Sequence, residues 1–153
     1  MSVPKFVLIL PDIRSCYNVG AMFRTADACG VEKIWLCGYT PVPPRPEIAK
    51  VALGAETWLP WEQAAEAVAV VRDLKKQGYT IVALEKNASS VDIGSMELTA
   101  PVALIVGNEV TGVGEDLLAV TDVVAHIPML GRKESLNVSV AAGIGMYVVR
   151  QKL

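Results

Sequence analysis

Asn18 and Arg24 lie six positions apart in NVGAMFRTADAC, a segment with helical spacing. A carboxamide and a guanidinium so placed can face one cleft at a strand end, where α/β folds hold their ligands. The same pair also reads as an N-cap and a surface charge, and spacing alone does not separate the two. A second cluster, Gly107-Asn108-Glu109-Val110-Thr111-Gly112-Val113-Gly114, follows the apolar run VALIV. Glycines after a buried strand let a ligand approach backbone amides, and Glu109 would be the polar anchor. The plainer reading is a glycine-rich turn with a solvated Glu. The third cluster is IPMLGRKESLNVS, Ile127 to Ser139. Ser135 suits the N-cap of the helix that follows. Asn137 falls in the first turn of that apolar helix, where its amide calls for a partner.

Several chemistries are excluded by what these clusters lack. No Gly-Lys-Ser/Thr follows the glycines, so there is no P-loop, and the GxGxxG order of a dinucleotide site is missing. There is no GxSxG elbow for a serine hydrolase. His126 is the one histidine, which rules out most catalytic zinc sites, and it reads as a structural residue. Cys16, Cys29 and Cys37 are odd in number and lack CxxC spacing. They read as reduced thiols of a cytoplasmic protein, with neither a disulfide framework nor a metal site. Arg14, Arg24, Arg45, Lys50, Arg132 and Lys133 either form a phosphate-binding rim or are scattered, and composition does not choose. Trp35, Trp58 and Trp61 are too few to argue a base-stacking platform.

The elements that must position these clusters alternate in type. KFVLIL (Lys5–Leu10), KIWLC (Lys33–Cys37), YTIVAL (Tyr79–Leu84), VALIV (Val102–Val106) and Val123–Ile127 read as strands. Helices are expected over Val19–Cys29 with Asn18 as N-cap, Glu47–Leu53, Trp61–Gln77, Glu115–Val120 and Leu136–Arg150. Continuously apolar strands between helices argue for a parallel sheet covered on both faces, an α/β domain. The last helix is apolar almost all round, so it is expected to be buried on more than one side, one side being open to a partner subunit.

The 153 residues suit one domain, and no repeat or linker divides them. Apolar residues make up 52%, enough for a packed core. With 14 basic and 16 acidic residues the net charge is −2. Any bound nucleic acid must therefore meet a local basic patch. The longest apolar stretch, Val138–Val149, is too short to span a bilayer. Met1 to Lys5 leads directly into the first strand-like run, so no signal peptide is expected.

Taken together, the clusters resemble the SpoU (TrmH-like) family of RNA ribose 2′-O-methyltransferases of the SPOUT superfamily. The first family motif appears as NVGAMFRTADACGV, Asn18 to Val31, the second as LIVGNEVTGV, Leu104 to Val113, and the third as IPMLGRKESLNVSVA, Ile127 to Ala141. The match runs from about Leu8 to Tyr147 with the motifs in order. The resemblance implies a parallel-sheet α/β/α sandwich with a C-terminal trefoil knot, a homodimer, no metal, and S-adenosylmethionine as cofactor. It places that cofactor against Leu84, Gly107, Asn108, Glu109, Ile127, Met129, Ser135 and Leu136. It assigns the catalytic cleft to Arg24, Asn18, Glu109, Ser135 and Asn137, with Arg24 either a proton acceptor or an electrostatic positioner. It implies an RNA substrate, tRNA before ribosomal RNA, met without a separate RNA-binding domain. A non-catalytic RNA- or cofactor-binding module would be expected to lack Arg24 or Asn137, and both are present. A Rossmann-type oxidoreductase would need a glycine fingerprint after KFVLIL, where PDIRSCYNVG stands instead.

Overall fold

Phe6, Leu8 and Leu10 of the first strand point into one core, and Val7 and Ile9 into another. That alternation fixes a sheet covered on both faces. In this computed structural model residues 2–153 are described and Met1 lies outside them. The order is β1 (Phe6–Pro11), α1 (Cys16–Ala28), β2 (Lys33–Cys37), α2 (Pro46–Ala52), α3 (Ala55–Trp58), β3 (Trp61–Ala64), α4 (Ala67–Lys76), β4 (Thr80–Leu84), β5 (Val91–Asp92), β6 (Val102–Ile105), α5 (Glu115–Leu118), β7 (Val123–His126) and α6 (Val138–Lys152). The seven strands run β3-β2-β1-β6-β4-β7-β5. Every pairing is parallel, and Leu8 sits between Ile34 and Leu104. Helices α1, α2 and α6 cover the core that holds Phe6, Phe23 and Met146. Helices α4 and α5 cover the face of Val7, Ile81 and Ile105. No helix among the described residues is long and apolar enough to cross a membrane.

The expected α/β class is therefore present, and three boundaries differ from expectation. The helix expected over Trp61–Gln77 is two elements. Trp61–Ala64 pairs with β2 as the sheet's edge strand, and the helix proper begins at Ala67. Glu62 and Gln63 are exposed there, as an edge strand allows, so no apolar run announces it. Helix α1 begins before Asn18. Ser15 is its N-cap, and Ser15 Oγ accepts the Asn18 backbone N–H at 3.2 Å. Helix α6 is capped by Asn137, not Ser135. Asn137 Oδ1 accepts the N–H groups of Ser139 at 2.9 Å and Val140 at 3.4 Å.

Helix α6 is also buried on one face only. Ala142, Gly145, Met146 and Val149 are inside, whereas Val140 is 51% exposed and Tyr147 62%, with Ile144 between them at 38%. Gly145 lets it sit low on the sheet, since a Cβ there would meet Leu84 Cδ2 at 3.2 Å and Leu104 Cδ2 at 3.3 Å. Its far end is latched. Arg150 donates to the carbonyls of Cys29 and Gly30 at 2.8 Å and of Pro4 at 2.9 Å. A guanidinium at the carbonyl end of α1 also complements that helix's negative pole.

Candidate functional site

The C-terminal ends of β4, β6 and β7 open onto a cleft of about 350 Å³. Neighbouring ends of a parallel sheet are where such folds bind ligands. All eight residues expected against a cofactor line it: Leu84, Gly107, Asn108, Glu109, Ile127, Met129, Ser135 and Leu136. Leu84 and Ile127 follow from their strands, and Ser135 and Leu136 from the exposed loop before α6.

The loop after β6 is held by its own side chains. Asn108 Oδ1 accepts the N–H groups of Val110 at 2.7 Å and Thr111 at 3.0 Å. Its Nδ2 donates to the Asp12 carbonyl at 2.7 Å and to the Tyr39 hydroxyl at 2.9 Å. Gly112 turns the loop back at φ +70°, and a Cβ there would collide with the Glu85 carboxylate. Glu85 Oε2 accepts the Val113 N–H at 2.8 Å, tying the end of β4 to this loop.

Glu109 connects the cleft to α1. Its carboxylate accepts the backbone N–H groups of Arg14 at 3.0 Å and Ser15 at 3.1 Å, and the Asn18 side-chain amide at 3.1 Å. Burial pushes this carboxyl up. The N–H groups of Arg14 and of Glu109 itself, the Asn18 amide and the Ser15 N–H outweigh that effect, so its pKa falls below the ordinary carboxylate value. Asn18 Oδ1 in turn accepts from Asn137 Nδ2 at 3.4 Å. Asn137, Asn18 and Glu109 thus form one line of polar side chains drawn from all three sequence clusters.

Arg24 stands apart from this line. It is exposed, it does not line the cleft, and its guanidinium has no hydrogen-bond or ion-pair partner among the described residues. Ser135 lines the cleft without capping α6. Among the six cations, Arg14 and Arg45 flank the first turn of α1, Arg45 donating to Cys16 Sγ at 3.3 Å. Arg24, Lys50, Arg132 and Lys133 lie exposed farther along α1, in α2 and in the loop before α6. Glu85, Lys86 and His126 also line the cleft and were not expected there. Glu85 and His126 are each the first polar residue at the end of an apolar strand, and Lys86 follows Glu85.

Comparison with known proteins gives one family. The model of the SpoU rRNA Methylase family matches residues 5–147. The tRNA (guanosine(18)-2′-O)-methyltransferase of Escherichia coli (strain K12) is 31% identical over 97% of this chain and 64% of its own length. The Thermus thermophilus enzyme of the same name is 32% identical over 98% of this chain and 77% of its own length. The crystal structure of an AdoMet-bound rRNA methyltransferase from Sinorhizobium meliloti superposes with a TM-score of 0.92, at 31% identity. It covers 99% of this chain and 58% of that one. The chain spans about three fifths of the length of several relatives that it matches.

Proposed function

The chain belongs to the SpoU rRNA Methylase family, and from that membership we propose that it transfers a methyl group from S-adenosylmethionine to a ribose 2′-hydroxyl of RNA, with tRNA before ribosomal RNA. The observation that carries this reading is the double role of Glu109, which lines the cleft and holds Asn18 in the polar line.

The cleft suits the cofactor by its chemistry. Apolar Leu84, Ile127, Met129 and Leu136 face polar loop residues across a volume in the range of small-molecule sites. S-adenosylmethionine supplies a methyl group on a sulfonium, which leaves without help from a metal. The protein's task is then to orient the hydroxyl, whose proton passes to the neighbouring substrate phosphate as the oxygen takes the methyl group. Asn18, held by Glu109, and Asn137, which donates to Asn18, fix one side of that approach. The guanidinium of Arg24 offers N–H donors and no acceptor. Its role in this reading is to hold the phosphate beside the target ribose and stabilise charge as the hydroxyl attacks.

The position of Arg24 outside its own cleft and the exposed apolar side of α6 support a homodimer in which Arg24 of one protomer serves the other's cleft. Family membership brings the trefoil knot into the same reading. The thiols of Cys16, Cys29 and Cys37 are all free, which supports a cytoplasmic protein.

Calorimetry should give binding of S-adenosylmethionine and S-adenosylhomocysteine without added metal. RNA from a strain carrying the gene should show one alkali-resistant linkage that is lost on its deletion. No binding heat on folded protein would overturn the cofactor, and a methyl found on a base would overturn the ribose.

A further inference from the structure

His126 ends β7 on the wall of the cleft, and the reaction outlined above makes no use of it. Its Nδ1 lies 2.9 Å from Ser90 Oγ. A serine hydroxyl has one proton to give. Ser90 Oγ donates its proton to the Asn87 carbonyl at 2.8 Å and accepts the Asn87 N–H at 3.1 Å. With that hydroxyl proton on the Asn87 carbonyl, an N–H on Nδ1 completes the set, and the neutral ring is then the Nδ1–H tautomer. Nε2 is then a lone-pair acceptor, and no group among the described residues donates to it.

Three other side chains on the same walls direct acceptors into the protein. Glu85 accepts the Val113 and Lys86 N–H groups. Asn108 accepts from Val110 and Thr111, and Glu109 from the start of α1. Glu134 and Ser135 lie in the exposed loop. Beside His126, Ile127 and, one strand over, Leu84 give the cleft an apolar wall suited to a flat ring. An adenosine there carries hydrogen-bond donors, an exocyclic amine and two ribose hydroxyls.

We propose that His126 Nε2 accepts a hydrogen bond from the adenosine part of the cofactor, and that Ser90 sets the tautomer that makes this possible. The inference rests on the cleft being the cofactor site. Because the chain has one histidine, its ring nitrogens give a single set of NMR signals. In the wild type these should show Nδ1 protonated and Nε2 bare. The Nε2 signal should move upfield when 5′-methylthioadenosine, which has no amino-acid end, is added. His126→Asn keeps a donor for Ser90 and loses the far acceptor, so affinity for that ligand should fall about tenfold. His126→Gln restores an acceptor near the Nε2 position and should stay within about threefold of wild type. A ring protonated on Nε2, or ligand binding with no Nε2 shift, overturns the inference alone. So does a loss confined to S-adenosylhomocysteine, which would move the contact to the amino-acid end, and so do folded Asn and Gln variants that behave alike. Absence of any binding by the wild type overturns the cleft reading and this inference with it.

Discussion

Glu109 accepts the Asn18 side-chain amide at 3.1 Å across 91 residues of chain. The same carboxylate receives the N–H groups of Ser15, the N-cap of α1, and of Arg14 just before it. The loop after β6 therefore does for this helix what a capping side chain does locally.

The Glu109 pKa is below 4.5 in the folded protein and near that value when unfolded. Its contribution to stability is complete above about 4.5 and is lost as the pH falls through the lower folded value. Glu109→Gln should be less stable than wild type at neutral pH, and the gap in urea midpoints should close in acid. A gap that does not change with pH would show that the charge contributes nothing.

Arg24→Ala should lose methyl transfer by at least about a hundredfold, the scale of one lost electrostatic contact in a transition state. Cofactor affinity should hold, because Arg24 does not line its own cleft. A variant with most of its activity would remove Arg24 from the mechanism.

Ile144→Glu places a charge between Val140 and Tyr147 on the exposed apolar side of α6. In an assembled homodimer that charge would be buried and unpaired, which is costly. Light scattering should show fewer dimers and assays less methyl transfer, with an unchanged circular dichroism spectrum. A folded monomer with full activity would refute a shared site.

Arg150→Ala leaves three carbonyls, of Pro4, Cys29 and Gly30, without their shared donor. The loss should be about 2 kcal/mol by denaturant unfolding. Arg150→Lys should cost about 1 kcal/mol, since one ammonium cannot match a planar fork.

The sheet's interior was legible because strands buried on both faces need apolar residues at every position, as in FVLIL of β1. Edges were not. Trp61–Ala64 is bonded along one side and carries exposed Glu62 and Gln63, so it reads as helix. Strand β5 has two residues and no pattern to find. Caps were misplaced where two candidates stood close together. Ser15 and Asn18 compete for one helix start, and Ser135 and Asn137 for another. Local spacing does not reveal that Asn18 is engaged by a carboxylate 91 residues away. The cleft was legible through the resemblance to the SpoU motifs, whose residues the fold brings to the ends of β4, β6 and β7. His126 reads as structural from the sequence, and its contact with Ser90, 36 residues away, has no signal in local spacing.

Strand β6 lies between β1 and β4 although it is made long after β1. A chain emerging from the ribosome completes β1, β2 and β3 by residue 64. The other edge of β1 then waits for Val102–Ile105. Until those residues arrive, β1 offers bare backbone donors and acceptors beside apolar side chains, a template for pairing with another nascent chain. Cellular yield should therefore depend on holding chaperones during elongation more than on the stability of the finished fold. Fragments that stop before residue 102 should aggregate rather than form a smaller working unit.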